Sequence, residues 1–167
     1  MRSTLSGVFA AALLAAAPAA AETNQFFSNY FDKLGVVCYA RRYDAQHLAQ
    51  HPRQKVQQIG LYFTSAAKHT PAAFEVGLAI VARGTGRSFS SPATCAERGD
   101  AIVCNVESDG GTFQLRPRGS GMTLQVVGDG LRMEGSTFFE AGGTRSDDNL
   151  FVLTPSAVSL CAAAQRS

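Results

Sequence analysis

From residue 59 onward, apolar and polar side chains alternate along the chain, and short turns interrupt the alternation about every ten residues. In one such run, Ile102, Cys104 and Val106 share one face, while Val103 and Asn105 share the other. The interrupting turns are rich in glycine and aspartate, which favour tight hairpins. A period of two residues between such turns is typical of antiparallel strands with one apolar face. The sequence therefore predicts an antiparallel meander.

The alternation predicts about eight strands and an all-β fold. The predicted strands cover residues 59–63, 74–80, 89–95, 102–106, 113–115, 122–126, 131–133 and 150–153. Such strands close best into a small antiparallel β-barrel, because closure removes exposed sheet edges. A sandwich is the alternative, but it needs longer crossover loops than this part of the chain shows. Phe63, Phe74, Phe89 and Phe113 are large enough to fill a small interior, so we expect a packed core.

The first residues have the pattern of a secretory signal peptide. A positive start at Arg2, an apolar run over residues 5–17 and small residues up to Ala21 predict a signal peptide at 1–21. Its removal leaves about 146 residues, enough for one domain, with a formal charge near +1 and no transmembrane anchor. A nearly neutral chain argues against a nucleic-acid partner. We expect the protein to be periplasmic or secreted.

The mature chain divides into three predicted parts. Residues 22–34 carry an apolar stripe at helical spacing and predict a short N-terminal amphipathic helix. The stripe consists of Phe26, Phe27, Tyr30, Phe31 and Leu34. Residues 35–161 form the barrel-like domain, and residues 162–167 form a C-terminal tail.

Four cysteines in an oxidising compartment predict two disulfides. Of three possible connectivities, we expect Cys95–Cys104 across a hairpin and Cys38–Cys161 between the start and the end of the domain. A zinc site made of all four thiolates is the alternative. The sequence lacks the CxxC spacing that such a site favours.

The stretch CYARRYDAQHLAQHP holds the only candidate metal ligands with suitable spacing, Asp44, His47 and His51. Histidines four apart can share one helix face and bind a metal that supports hydrolysis. However, the proline after His51 disfavours helical geometry there. We expect Asp44 to cap a short helix, Leu48 to pack inward, and His51 to turn away from the face of His47.

Two regions are candidate contact surfaces for a ligand or partner. The first comprises Tyr39, Arg41, Arg42 and Tyr43, whose arginines could bind an anion or stack on a sugar. The second is the long connection 135–149. Its Phe138 and Phe139 either contact a partner or plug the barrel end.

Four further arginines lie beside hairpin turns: Arg83, Arg87, Arg116 and Arg118. If the fold gathers them at one barrel end, that end would attract anionic ligands, polysaccharide or lipid headgroups.

No catalytic pattern is recognisable in the sequence. There is no GxSxG elbow, phosphate loop or GxGxxG, and each cysteine has an expected disulfide partner. The strand glutamates Glu75, Glu107 and Glu134 fall on the polar faces of their strands. We therefore predict neither an enzyme nor a cofactor.

The stretches CYARRYDAQHLAQHPRQKV and CNVESDGGTFQLR resemble small secreted proteins of alphaproteobacterial type, a group without an assigned activity. The resemblance implies a periplasmic home and no particular chemistry. The predicted architecture is also similar to the small barrels of periplasmic lysozyme inhibitors. Their Ser-Gly-x-x-Tyr and Tyr-x-x-x-Lys-Gly motifs are absent, so no inhibitory residue follows from that similarity.

These patterns predict a non-enzymatic periplasmic protein that binds an envelope protein, a polysaccharide or a small ligand. One alternative is a metal-binding or hydrolytic protein that uses Asp44, His47 and His51. Another is a structural or lysozyme-inhibitor-like barrel of the envelope.

Overall fold

The computed structural model describes residues 38–63, 74–135 and 137–165. The predicted signal peptide at 1–21 and the predicted helix at 22–34 lie outside these residues, as does the side chain of Phe63. The described residues form ten strands and two helices. In chain order they are β1 Cys38–Arg42, α1 Ala45–Gln50, β2 Val56–Phe63, β3 Phe74–Ala82, β4 Ser88–Arg98, β5 Ala101–Val106, β6 Thr112–Arg118, β7 Gly121–Val127, β8 Leu131–Met133, β9 Phe139–Ala141, β10 Leu150–Pro155 and α2 Val158–Gln165.

Eight of the strands close into an antiparallel barrel in the order β1-β10-β7-β6-β5-β4-β3-β2. The predicted eight-stranded barrel is confirmed, but its membership differs from the prediction. The strand β1 joins the barrel between β10 and β2, whereas β8 leaves it and pairs only with β9. Closure runs through β10, which pairs with β7 from Leu150 opposite Gln125 to Leu153 opposite Met122.

The alternation along each strand directs one set of side chains into the barrel. Tyr39 on β1 lies opposite Leu61 on β2, and both side chains are buried in the main core. Phe113, Leu124 and Phe151, from three other strands, are fully buried in the same core. Large apolar side chains therefore fill the interior.

Both predicted disulfides are confirmed. Cys95 and Cys104 are direct partners in the β4–β5 hairpin, with their Cα atoms 4.0 Å apart. Cys38 on β1 bonds to Cys161 on α2, which lies 123 residues further along the chain. Two disulfides fit an oxidising compartment.

The helix α2 begins within the predicted domain and extends into the predicted tail at 162–167, and it packs on the outside of the barrel against β1 to β4. Small residues on that outer face leave room for the helix. Ala40 is buried beneath it, and a Cβ on Gly60 would lie 3.1 Å from the sulfur of Cys161. The Gln58 amide also donates to the carbonyl of Leu160 (2.8 Å). Neither described helix is long and apolar enough to cross a lipid bilayer.

The antiparallel strand directions give the barrel two distinct ends. One end carries α1, the turn 83–87, the turn 107–111 and the long segment 128–149. We call it the loop end. The opposite end carries the short turns 99–100 and 119–120.

Candidate functional site

The two tyrosines predicted to contact a partner lie in the core instead. Tyr39 is fully buried, because strand alternation on β1 directs its side chain into the barrel. Tyr43 is also buried, which raises the pKa of its phenol to about 12, partly offset by the positive charge of Arg41. The guanidinium of Arg41 lies 5.5 Å from the Tyr43 ring centroid, and both Arg41 and Arg42 are exposed. Only the arginines of this group are accessible to a partner.

The short helix α1 has the predicted construction. The Asp44 carboxylate accepts the backbone N–H of His47 at 2.7 Å, which caps the first turn. Leu48 is its buried residue, and the helix ends at Gln50, two residues before Pro52.

The two histidines of this stretch stack on each other, so the prediction that His51 turns away is wrong. The His51 N–H still donates to the carbonyl of His47 (3.1 Å), and this last helical hydrogen bond holds the two rings 4.3 Å apart. Stacked rings direct their faces toward each other, whereas a metal needs in-plane nitrogen lone pairs that converge. In the described part of the chain, no three His, Cys, Asp or Glu residues cluster closely enough to hold a metal ion.

The four turn arginines do not gather at one end. Arg83 and Arg87 lie at the loop end, beside the β3–β4 turn, while Arg116 and Arg118 lie at the opposite end, beside the β6–β7 turn. Arg116 forms a salt bridge with Asp100 at that opposite end (2.5 Å).

A groove of about 500 Å³ opens on the loop end, between the β3–β4 turn and the segment that leads into β9. Three cations and three aromatic rings line it, and among the residues that the structure describes no acidic one lines it. We call it the basic–aromatic groove. Its charged and aromatic residues are Lys55, Arg83, Arg87, Phe89, Phe138 and Phe139.

The cationic wall of the groove is held by backbone hydrogen bonds. Arg83 donates from Nη1 to the carbonyls of His51 (3.1 Å) and Gln54 (3.3 Å), which joins the β3–β4 turn to the segment after α1. Gly84 and Gly86 have φ values of +80° and +65°, which glycine adopts without steric cost. The tight turn therefore places Arg83 and Arg87 beside the same opening.

The aromatic wall comes from the connection 135–149, which contains the strand β9. Phe139 stacks on Phe89 with ring centroids 5.0 Å apart and packs against the core. Phe138 is 61% exposed, and the guanidinium of Arg132 lies 4.0 Å from its ring centroid. Of the two predicted phenylalanines, Phe139 covers the barrel end, and Phe138 is accessible to a ligand.

Two consecutive aspartates anchor the far part of this connection to the segment that carries Lys55. Asp147 accepts the backbone N–H and the guanidinium of Arg53, at 3.1 Å and 2.8 Å. Asp148 is fully buried and accepts the backbone N–H groups of Lys55 (2.7 Å) and Val56 (3.2 Å). Burial raises the pKa of the Asp148 carboxyl, and the two N–H donors oppose that rise. The pair therefore fixes the backbone at the position of Lys55.

A second opening of about 510 Å³ shares Pro52 and Lys55 with the basic–aromatic groove. Arg53 and Arg145 border it, and the charge of Arg53 is compensated by Asp147. The basic–aromatic groove is therefore the part of the loop end in which positive charge is least compensated.

No sequence pattern marks Lys55 as a site residue, and the sequence predicts Phe89 only as a core residue. Neither residue lies in a recognisable motif, since the groove is assembled from three segments that are distant in the chain. Comparison of the chain with protein-family models, with curated proteins and with solved structures finds no match.

Proposed function

We propose that this protein is a non-enzymatic binding protein of the bacterial envelope, periplasmic or secreted, which captures an anionic partner in the basic–aromatic groove. The observation that carries the proposal is an excess of positive over negative charge in the groove. Within the described residues, Lys55, Arg83 and Arg87 form no salt bridge, and no acidic side chain lines the groove. A concave surface with one sign of charge concentrates ligands of the opposite sign.

The composition of the groove supports binding rather than catalysis. Its described lining offers no carboxylate, imidazole or thiol that could serve as a general base or nucleophile. The residues that shape it instead hold each other through backbone hydrogen bonds and ring stacking. A preformed surface of this kind loses little conformational entropy when a ligand binds.

The envelope location is supported by the two disulfides together with the signal-peptide pattern at 1–21. The resemblance to small secreted proteins of alphaproteobacterial type points to the same compartment and stays a prediction.

Equilibrium dialysis against a low-mass envelope extract, followed by mass spectrometry, tests the proposal. We expect the mature protein to enrich at least one anionic species. We also expect 0.5 M salt to release it, because salt at that concentration screens charge attraction beyond distances on the order of a few Å. The double substitution Lys55→Gln/Arg87→Gln should abolish the enrichment. The matched control is Arg118→Gln, an exposed arginine at the opposite end, which should leave it unchanged. Equal enrichment by all three proteins, or none by any, would contradict the proposal.

A further inference from the structure

We infer that the ligand of the basic–aromatic groove is a small amphiphilic anion, with one carboxylate or phosphate joined to a flat apolar body. This inference rests on the proposed function and adds the chemical class of the ligand. It follows from the placement of charge, aromatic surface and surrounding acids at the loop end.

The charged wall suits one compact anionic group. Arginine presents a planar fork that pairs with both oxygens of a carboxylate or with two oxygens of a phosphate. Arg83 uses Nη1 to bind two backbone carbonyls, which fixes the orientation of its guanidinium plane. The backbone of Lys55 is fixed in turn by Asp148 at 2.7 Å. The Lys55 ammonium donates to the backbone carbonyl of Glu140 (3.3 Å), so the side chains of Arg83 and Lys55 are both held before a ligand arrives.

The aromatic wall suits a flat apolar group. Phe139 and Phe89 form a stacked pair, and both residues line the groove. Phe138 is the most exposed large apolar side chain among the described residues, at 61%. A ring or a short hydrocarbon that packs against Phe138 would remove apolar surface from water, which is favourable in rough proportion to the area covered. A ligand with only charged groups would leave this surface unused.

The surroundings of the groove disfavour extended anions. Beyond the groove, the turns 107–111 and 128–130 and the β8–β9 pair carry five exposed carboxylates. These are Glu107, Asp109, Asp129, Glu134 and Glu140. An acidic polysaccharide or an anionic membrane surface that extended from the groove across the turn 107–111 and the β8–β9 pair would meet these like charges, whereas a compact ligand would not. The groove volume of about 500 Å³ also lies within the usual range of small-molecule sites, roughly 300–1,000 Å³.

The test uses nuclear magnetic resonance of the ¹⁵N-labelled mature protein with matched probes. Naphthalene-2-carboxylate and 2-naphthyl phosphate share a flat body and differ in the anionic group, and 2-naphthalenemethanol is their neutral counterpart. A sulfated polysaccharide and phosphatidylglycerol vesicles represent extended anions. We expect both small anions to shift the amide signals of residues 83–87 and 137–139, and the neutral probe to bind at least tenfold more weakly. The tighter of the two small anions identifies the acidic group that the site prefers.

Three substitutions assign the binding to the groove. Arg87→Gln should weaken binding of the preferred anion at least tenfold, and Phe138→Ala should weaken it several-fold. Both side chains are at the surface, so the rest of the amide spectrum should remain that of the folded protein. Arg118→Gln, at the opposite end, should leave the affinity unchanged.

The outcomes separate this inference from the proposed function. Equal affinity for the neutral probe, or groove signals that respond only to the polysaccharide or the vesicles, would overturn the inference. In the second case the proposed function, capture of an anionic partner, would still hold. If no anion, small or extended, shifts the groove signals, both the inference and the proposed function fail.

Discussion

Asp148 has an unfavourable environment for a charged carboxyl group. Its carboxyl is fully buried and accepts N–H groups from Lys55 and Val56 and a hydroxyl from Ser146. Lys55 and Tyr43 are the other titratable groups that act on it electrostatically. Burial penalises the charged form more than these donors favour it, so the pKa of Asp148 lies above its ordinary value.

We expect Asp148→Asn to destabilise the fold by about 1–3 kcal/mol at neutral pH, because the asparagine amide would direct N–H groups at a backbone N–H and leave a buried donor unpaired. The effect should depend on pH. With a raised pKa, the stabilising contribution of Asp148 is complete below the ordinary aspartate pKa of about 3.9 and is lost as pH rises through the raised value. Urea unfolding of both proteins across pH 4–8 should therefore show a difference that grows on acidification.

Asp100→Asn provides the control for this titration. The hydrogen bond from Arg116 holds the pKa of the exposed Asp100 below its ordinary value, so its contribution is present at neutral pH and is lost on acidification. Its effect should be small and nearly constant over pH 4–8, because its contribution is lost only as pH falls below the ordinary aspartate pKa of about 3.9. A difference for Asp148→Asn that shrank on acidification would mean that the N–H donors outweigh burial.

At the scale of elements, sequence alternation predicts strands best where one face is buried and the other is exposed. β5, β6 and β7 satisfy this condition and were predicted within a few residues of their ends. β1 was missed because α2 covers its outer face, so the three consecutive residues Cys38, Tyr39 and Ala40 are all buried. α2 itself was missed because its short, alanine-rich sequence resembles a terminal tail. It packs against the barrel and is joined to β1 through Cys161.

We expect the Cys38–Cys161 disulfide to hold α2 on the barrel. The double variant Cys38→Ala/Cys161→Ala should lose about 5 kcal/mol of unfolding free energy by the chain-entropy relation, because 123 residues separate the two cysteines. The double variant Cys95→Ala/Cys104→Ala, with a separation of 9, should lose about 2.7 kcal/mol. Hydrogen exchange should show early loss of protection at 158–165 in the first variant only. Unchanged protection there would mean that contacts such as Gln58 to Leu160 suffice to hold the helix.

At the scale of the whole molecule, the barrel has a single core that links all eight strands. Phe113 is fully buried in that core, while Phe138 at the loop end is 61% exposed. Phe113→Ala should therefore cost about 3–5 kcal/mol through lost burial and an unfilled cavity. Phe138→Ala removes the same atoms from the surface and should leave the free energy of unfolding nearly unchanged. Urea denaturation measures both, and equal losses would contradict the assignment of Phe138 to the binding surface.

The closed barrel also explains why the fold was more predictable than the site. Turns and alternation are local, so they can be recognised within about ten residues of sequence. The basic–aromatic groove combines residues from 52–55, 82–89 and 137–139, which meet only after β3 and β4 pair and β9 folds over the barrel end. The sequence places Arg83 and Arg87 beside a hairpin turn, but their separation from Arg116 and Arg118 follows from strand direction. No local pattern distinguishes exposed Phe138 from packed Phe139 beside it.

The covalent bond between the first strand and the last helix also determines how the molecule responds to mechanical force. Tension applied along the chain from outside the two cysteines passes directly from Cys38 to Cys161, whose Cα atoms lie 6.0 Å apart. The inter-strand hydrogen bonds then carry none of the load, including those between β1 and β10 that close the barrel. While this disulfide is intact, stretching would align the protein without extending it, so the loop end and its groove would keep their shape under load.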